Sequence, residues 1–88
     1  MKTTIELLDK ALETAGNASN RQLSQRLGLS PTTLTEARRR GSLSPVVAGQ
    51  LAELVGEDIE HWIAVAAIEA QPRSRVTDHL RKVLHAIV

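Results

Sequence analysis

Arginines, hydroxyls and scattered carboxylates are the reactive side chains of this 88-residue chain, and their order along it bears on the chemistry open to them. Between residues 20 and 44 stand Arg21, Arg26, Arg38, Arg39 and Arg40 against Glu36 alone. Residues 45 to 70 reverse the sign, with Glu53, Glu57, Asp58, Glu60 and Glu69 and no lysine or arginine. Residues 71 to 88 are basic again, through Arg73, Arg75, Arg81 and Lys82 against Asp78. A formal net charge of +1 therefore hides a segregation of charge, as expected where one face of a molecule meets a polyanion.

Catalysis has little to build on. His61, His79 and His85 lack metal-ligand spacing, since the last two fall on different faces of a helix and no nearby acid completes a set. They read as surface histidines. Serines are present without an activating base, and there is neither a glycine-rich phosphate loop nor a paired-carboxylate site. The absence of cysteine excludes a disulfide framework and a thiolate metal site and fits a reducing compartment. The expectation is a protein that is not an enzyme, with no cofactor, no metal and no small-molecule substrate.

The elements that must position the arginines and hydroxyls are helical. With aromatic content of 1% and Trp62 the single large ring, the core must come from Leu, Ile, Val and Ala, which suits packed helices better than sheets. Ile5, Leu8, Leu12 and Ala15 repeat at helical spacing and stop at Gly16-Asn17, a pair suited to a left-handed helix end. Ser19 or Asn20 can cap a short second helix in which Leu23 and Leu27 share a face before Gly28 ends it. Ser30-Pro31 is a start signal for a third helix, Pro31 to Arg40, ending at Gly41.

Ser44-Pro45 repeats that signal, and Val47, Leu51, Leu54 and Val55 give a fourth amphipathic helix that ends near Gly56. Gly49 inside it implies a close helix crossing, since glycine costs roughly 1 kcal/mol against alanine there. A fifth helix from Glu57 or Asp58 carries Ile59, Trp62, Ile63, Ala66, Ala67 and Ala70 on its apolar side and is broken by Pro72. Trp62 on that stripe reads as core rather than ligand contact. The last helix, from Ser74, places Val76, Leu80, Val83 and Ile87 at 4-3-4 spacing, with Leu84 beside them. These elements make an all-α fold of one domain over residues 1–88. No stretch is long and apolar enough for a membrane span, and Glu6 and Asp9 stand where a signal peptide needs an apolar run, so a soluble, unprocessed, cytoplasmic chain is expected.

The stretch Asn20-Arg21-Gln22-Leu23-Ser24-Gln25-Arg26-Leu27-Gly28-Leu29-Ser30-Pro31-Thr32-Thr33-Leu34-Thr35-Glu36-Ala37-Arg38-Arg39 joins two short helices. They can cross steeply only if the contact residue is small, which Ser24 is, and if the turn accepts positive φ, which Gly28 does. Leu23, Leu27, Leu29, Leu34 and Ala37 then face inward, leaving Thr32, Thr33, Thr35, Glu36 and Arg39 on the outer side. This pattern resembles the lambda-repressor and Cro-like helix-turn-helix family, down to Gly41 and the Ser44-Pro45 start that follows. Ser24 stands where alanine is commonest in that family, and Ala37 replaces a bulkier residue. The small size and the added helix after Pro72 are similar to compact phage or prophage repressors, those of filamentous phages included.

The resemblance implies a five-helix DNA-binding domain with an added C-terminal helix. Its recognition helix, Pro31 to Arg40, would enter the major groove of double-stranded DNA, with Thr32 and Glu36 at the positions that most often read bases. Threonine can exchange hydrogen bonds with bases or offer its methyl to thymine, glutamate can accept from a cytosine amino group, and Arg39 can reach guanine or a phosphate. Thr33 and Thr35 complete the base-reading set. Asn20, Arg21, Arg38, Arg40 and Ser42 are the expected phosphate contacts, which fix register without reading sequence. Residues 72–88 are expected to form a dimerisation helix through Val76, Leu80, Val83, Leu84 and Ile87, so that a homodimer reads a near-palindromic operator in a bacterial host. No effector pocket is legible in the sequence.

Several features carry a second reading. Glu36 is equally placed to pair with Arg40 four positions on. The Arg38 to Arg40 run also suits a solvated helix end complementing the dipole. The final helix can close the monomer core over the first helix with the same apolar residues, and the whole chain can be an interaction module, such as an antitoxin, that works through its fifth and sixth helices.

Overall fold

The computed structural model describes residues 3–72 and 74–87, with side chains described as far as Leu84. Six helices follow one another: α1 (Thr4–Thr14), α2 (Asn20–Arg26), α3 (Thr33–Arg40), α4 (Pro45–Val55), α5 (Ile59–Glu69) and α6 (Arg75–Ile87). No strand occurs among the described residues, so the fold is all-α as the composition implies. α4 lies at the centre, packed on α5 and α1, while α2 packs on α3 and α6 on α5. Leu7, Leu8, Leu23, Leu34, Leu43, Leu51, Trp62 and Val65 are all buried in one continuous core.

Local signals start most of the helices. Thr3 and Glu6 form a reciprocal capping box on α1, and Ser19 and Gln22 do the same on α2, which resolves the choice between Ser19 and Asn20. Pro45 stands at the start of α4, and Asp58 caps α5 by accepting from the His61 N–H at 3.0 Å. Ser74 and Thr77 exchange hydrogen bonds ahead of α6, Thr77 Oγ1 accepting from Ser74 N at 2.8 Å.

Four expectations from the sequence are corrected. α3 begins at Thr33 rather than Pro31, because the Ser30 hydroxyl turns to the Thr32 hydroxyl, 3.4 Å away, instead of capping free N–H groups. The Leu34 N–H is met from another helix, by the buried Ser24 hydroxyl at 3.4 Å. In α1 the buried residues are Thr4, Leu7, Leu8 and Ala11, whereas Ile5, Leu12 and Ala15 pack at the edge of the core. α5 ends at Glu69, short of Pro72, and its Ile59 and Ile63 are each 38% exposed rather than core. Finally, His61 is half-buried, its ring meeting Trp62 edge-on at 5.7 Å; His79 is exposed, and the His85 side chain lies outside the described residues.

Gly49 shows why two helices can approach so closely. A Cβ at that position would lie 3.0 Å from Ile63 Cγ1 and 3.1 Å from Ile63 Cδ1. Its bare α-carbon lets α4 and α5 meet in the most extensive helix contact of the chain.

Candidate nucleic-acid interface

The turn between α2 and α3 sets the pose of the outward-facing helix. Gly28 takes a φ of 72°, a conformation that a side chain would strain. Around it the Leu29 N–H reaches back to Ser24 O at 2.9 Å and the Gly28 N–H to Gln25 O at 3.2 Å, the two bonds of a Schellman ending. Ser24 is wholly buried and works twice, its carbonyl closing α2 and its hydroxyl receiving the first free N–H of α3. The sequence shows only that it is small.

At roughly 100° per residue, α3 sorts its side chains into faces. Leu34 and Ala37 are 0% and 2% exposed and point into the core. Thr32, Thr35, Glu36 and Arg39 fall opposite them and are exposed, and Thr33 is half-buried at the flank. Apart from the Ser30–Thr32 hydroxyl contact, none of the four is held by a side-chain hydrogen bond or ion pair among the described residues. Glu36 does not pair with Arg40, whose Nη2 donates to Ser42 O at 3.1 Å.

The basic residues divide by task. Arg38 turns toward α1 and pairs with Asp9 at 2.6 Å, an exposed pair worth at most about 1 kcal/mol. Arg26 donates to Ala15 O at 3.0 Å and so serves the end of α1. Arg21 and Arg39 are exposed and have no intrachain partner among the described residues. Asn20 and Ser42 are half-buried, and Asn20 Oδ1 has no hydrogen-bond partner among the described residues. Arg21 and Arg39 are thus the less encumbered cations, while Arg38 and Arg40 are each engaged within the chain.

Support for α3 comes from a buried polar cluster that sequence reasoning missed. Thr4, with no exposed surface, donates from Oγ1 to Glu69 Oε1 at 2.5 Å and from its N–H to Glu69 Oε2 at 3.0 Å. The same hydroxyl accepts from the Leu43 N–H at 3.0 Å, in the loop that leaves α3. Three segments far apart in sequence therefore meet at one threonine.

On α6, Val76, Leu80 and Val83 are 66%, 38% and 40% exposed along one face. Leu84 is half-buried against its own chain's core, and the Ile87 side chain lies outside the described residues. Among the described residues no helix is long and apolar enough to cross a membrane, and no group of three or more His, Cys, Asp or Glu is placed to hold a metal.

Residues 2–40 match the family described as winged helix-turn-helix DNA-binding. The match spans less than half of the chain and ends with α3. α4 begins a few residues later, with no strand between, so the hairpin denoted by the word winged has no counterpart among the described residues. No curated protein and no solved structure matches the chain. The segment α1–α3 is accordingly similar to a DNA-binding helix-turn-helix.

Proposed function

We propose that this chain, on the premise of its DNA-binding helix-turn-helix segment, is a sequence-specific transcriptional regulator that lays α3 in the major groove. The observation that carries the reading is the outward side of α3, where Thr32, Thr35, Glu36 and Arg39 are all exposed. Hydroxyl, carboxylate and guanidinium groups are those that can exchange hydrogen bonds with base edges. Thr33 flanks this set. Arg21, together with Asn20, Arg38, Arg40 and Ser42, would meet phosphates, Arg38 and Arg40 by releasing their present partners. No cofactor enters this role.

The finer reading is a repressor of the compact phage or prophage type, acting as a homodimer in the cytoplasm of a bacterial host. One helix-turn-helix covers little DNA, and pairing two would place them on half-sites about 34 Å apart. The exposed Val76, Leu80 and Val83 support α6 as the pairing helix, since their spacing is that of a coiled-coil seam. Occupancy of a near-palindromic operator over a promoter would then block polymerase. Footprinting on DNA flanking the chain's own gene tests this: paired protected sites one helical turn apart support it, and no protection at low salt refutes it.

A second reading is an interaction module, such as an antitoxin, using α5 and α6. The exposed Ile59 and Ile63 of α5 and the exposed Val76 and Leu80 of α6 favour it. A regulator binds DNA alone with a steep salt dependence, because phosphate contacts release counterions, whereas a pure adaptor requires its protein partner.

A further inference from the structure

A cleft of about 590 Å³ lies between α6 and the rest of the chain, within the usual size of small-molecule sites. Ile5, Ile68 and Leu84 supply apolar lining, and Arg40, from the end of α3, and Arg81, from α6, supply guanidinium groups. Glu69 is the only carboxylate lining it among the described residues, and both of its oxygens already accept from Thr4. Two guanidinium charges against one carboxylate leave the lining with an excess of one positive charge.

The donors are largely unspent. A guanidinium carries five N–H groups; Arg40 has a bond to Ser42 O, and Arg81 has one to Ile68 O at 3.3 Å. Arg81 Nε is shielded from solvent and has no acceptor among the described residues, so that donor is unspent as well.

We propose that this cleft binds a small amphipathic monocarboxylate, with its anionic end on Arg40 and Arg81 and its hydrocarbon end against Ile5, Ile68 and Leu84. The planar fork of arginine matches a carboxylate's two oxygens. The single excess charge matches a monoanion, whereas a polyanion would bring uncompensated charge up to Glu69. Occupancy would hold Arg40, a proposed phosphate contact, and so weaken DNA binding; that consequence rests on the function proposed above, and the binding itself does not.

The test is isothermal titration of the full chain with sodium hexanoate, with sodium phosphate and hexylammonium chloride as comparison probes at matched ionic strength. The expected result is saturable one-to-one binding of hexanoate, weakened about tenfold or more in Arg81→Gln, the effect of losing a charge-assisted contact. Phosphate and hexylammonium should bind much more weakly. An NMR titration of the unaltered chain keeps the test standing should Arg81→Gln fail to fold: hexanoate should shift the amides of Gly41, Ser42, Glu69 and Arg81. Failure of hexanoate to saturate, unchanged affinity in folded Arg81→Gln, or equal binding of phosphate or hexylammonium would overturn the proposal. Hexanoate binding with DNA affinity unchanged removes the regulatory consequence and leaves the site, whereas a chain that binds no DNA at all refutes the proposed function without touching the titration.

Discussion

Thr4→Val removes one hydroxyl and replaces it with a methyl group of similar size, so the core keeps its shape while a polar cluster loses its centre. Two bonds go: the 3.0 Å bond from the Leu43 N–H and the 2.5 Å bond to Glu69 Oε1. The backbone bond from residue 4 to Glu69 Oε2 remains. An orphaned buried N–H costs about 1–3 kcal/mol and a hydrogen bond to a charged group contributes about 1.5–3 kcal/mol, so a non-additive total of about 2–4 kcal/mol is expected. For a domain of this size each kcal/mol moves Tm by roughly 4–8 °C, so a fall of at least about 8 °C should appear. Urea unfolding followed by circular dichroism measures the loss, with Thr4→Ser as the control that keeps the hydroxyl and gives up one methyl, worth about 1 kcal/mol. A loss below about 0.5 kcal/mol for Thr4→Val, or one no larger than that of Thr4→Ser, would refute the assigned role of the hydroxyl.

Gly49→Ala gains up to about 1 kcal/mol of helix propensity but brings its Cβ against Ile63, so its benefit should be larger in an Ile63→Ala background than in the parent chain; a double-mutant cycle in urea reads the difference. Thr32→Ala should relax base preference at one operator position by about 1–3 kcal/mol, measured by fluorescence anisotropy over single-base variants, whereas Arg21→Ala should weaken all sequences alike and lower the salt slope by about one. Leu80→Glu, at a side chain 38% exposed on α6, should leave the helical spectrum intact and yield a monomer by light scattering; an unchanged mass for both chains would count against α6 as the pairing surface.

Much of this fold is legible because its signals are local. Ser44-Pro45, Asp58, Gly28 and the apolar spacing of α4 act within one or two turns, and each marks an element that the structure contains. Orientation about a helix axis is less local. In α1, Ile5-Leu8-Leu12-Ala15 and Thr4-Leu7-Leu8-Ala11 are overlapping stripes that share Leu8, and contact with α4 decides that the second is buried. The buried set contains a threonine, which reads as polar until its partners at Leu43 and Glu69 are known. The start of α3 is hidden for a similar reason: the Ser30 hydroxyl does not cap it, and its first free N–H is satisfied by Ser24 from α2, ten residues earlier. For the candidate site, the outward placement of Thr32, Thr35, Glu36 and Arg39 follows from helical period alone, but the engagement of Arg38 by Asp9 depends on how α1 crosses α3.

The joint at Thr4 bears on how this protein can be divided. The stretch bearing the helix-turn-helix signature stops at residue 40, yet its first helix leans chiefly on α4, and Thr4, where that helix opens, is fastened to Glu69, the last residue of α5. That stretch is not a portable cassette: spliced alone onto another scaffold, it would strip α1 of α4, its principal packing partner, and Thr4 of its Glu69 acceptor.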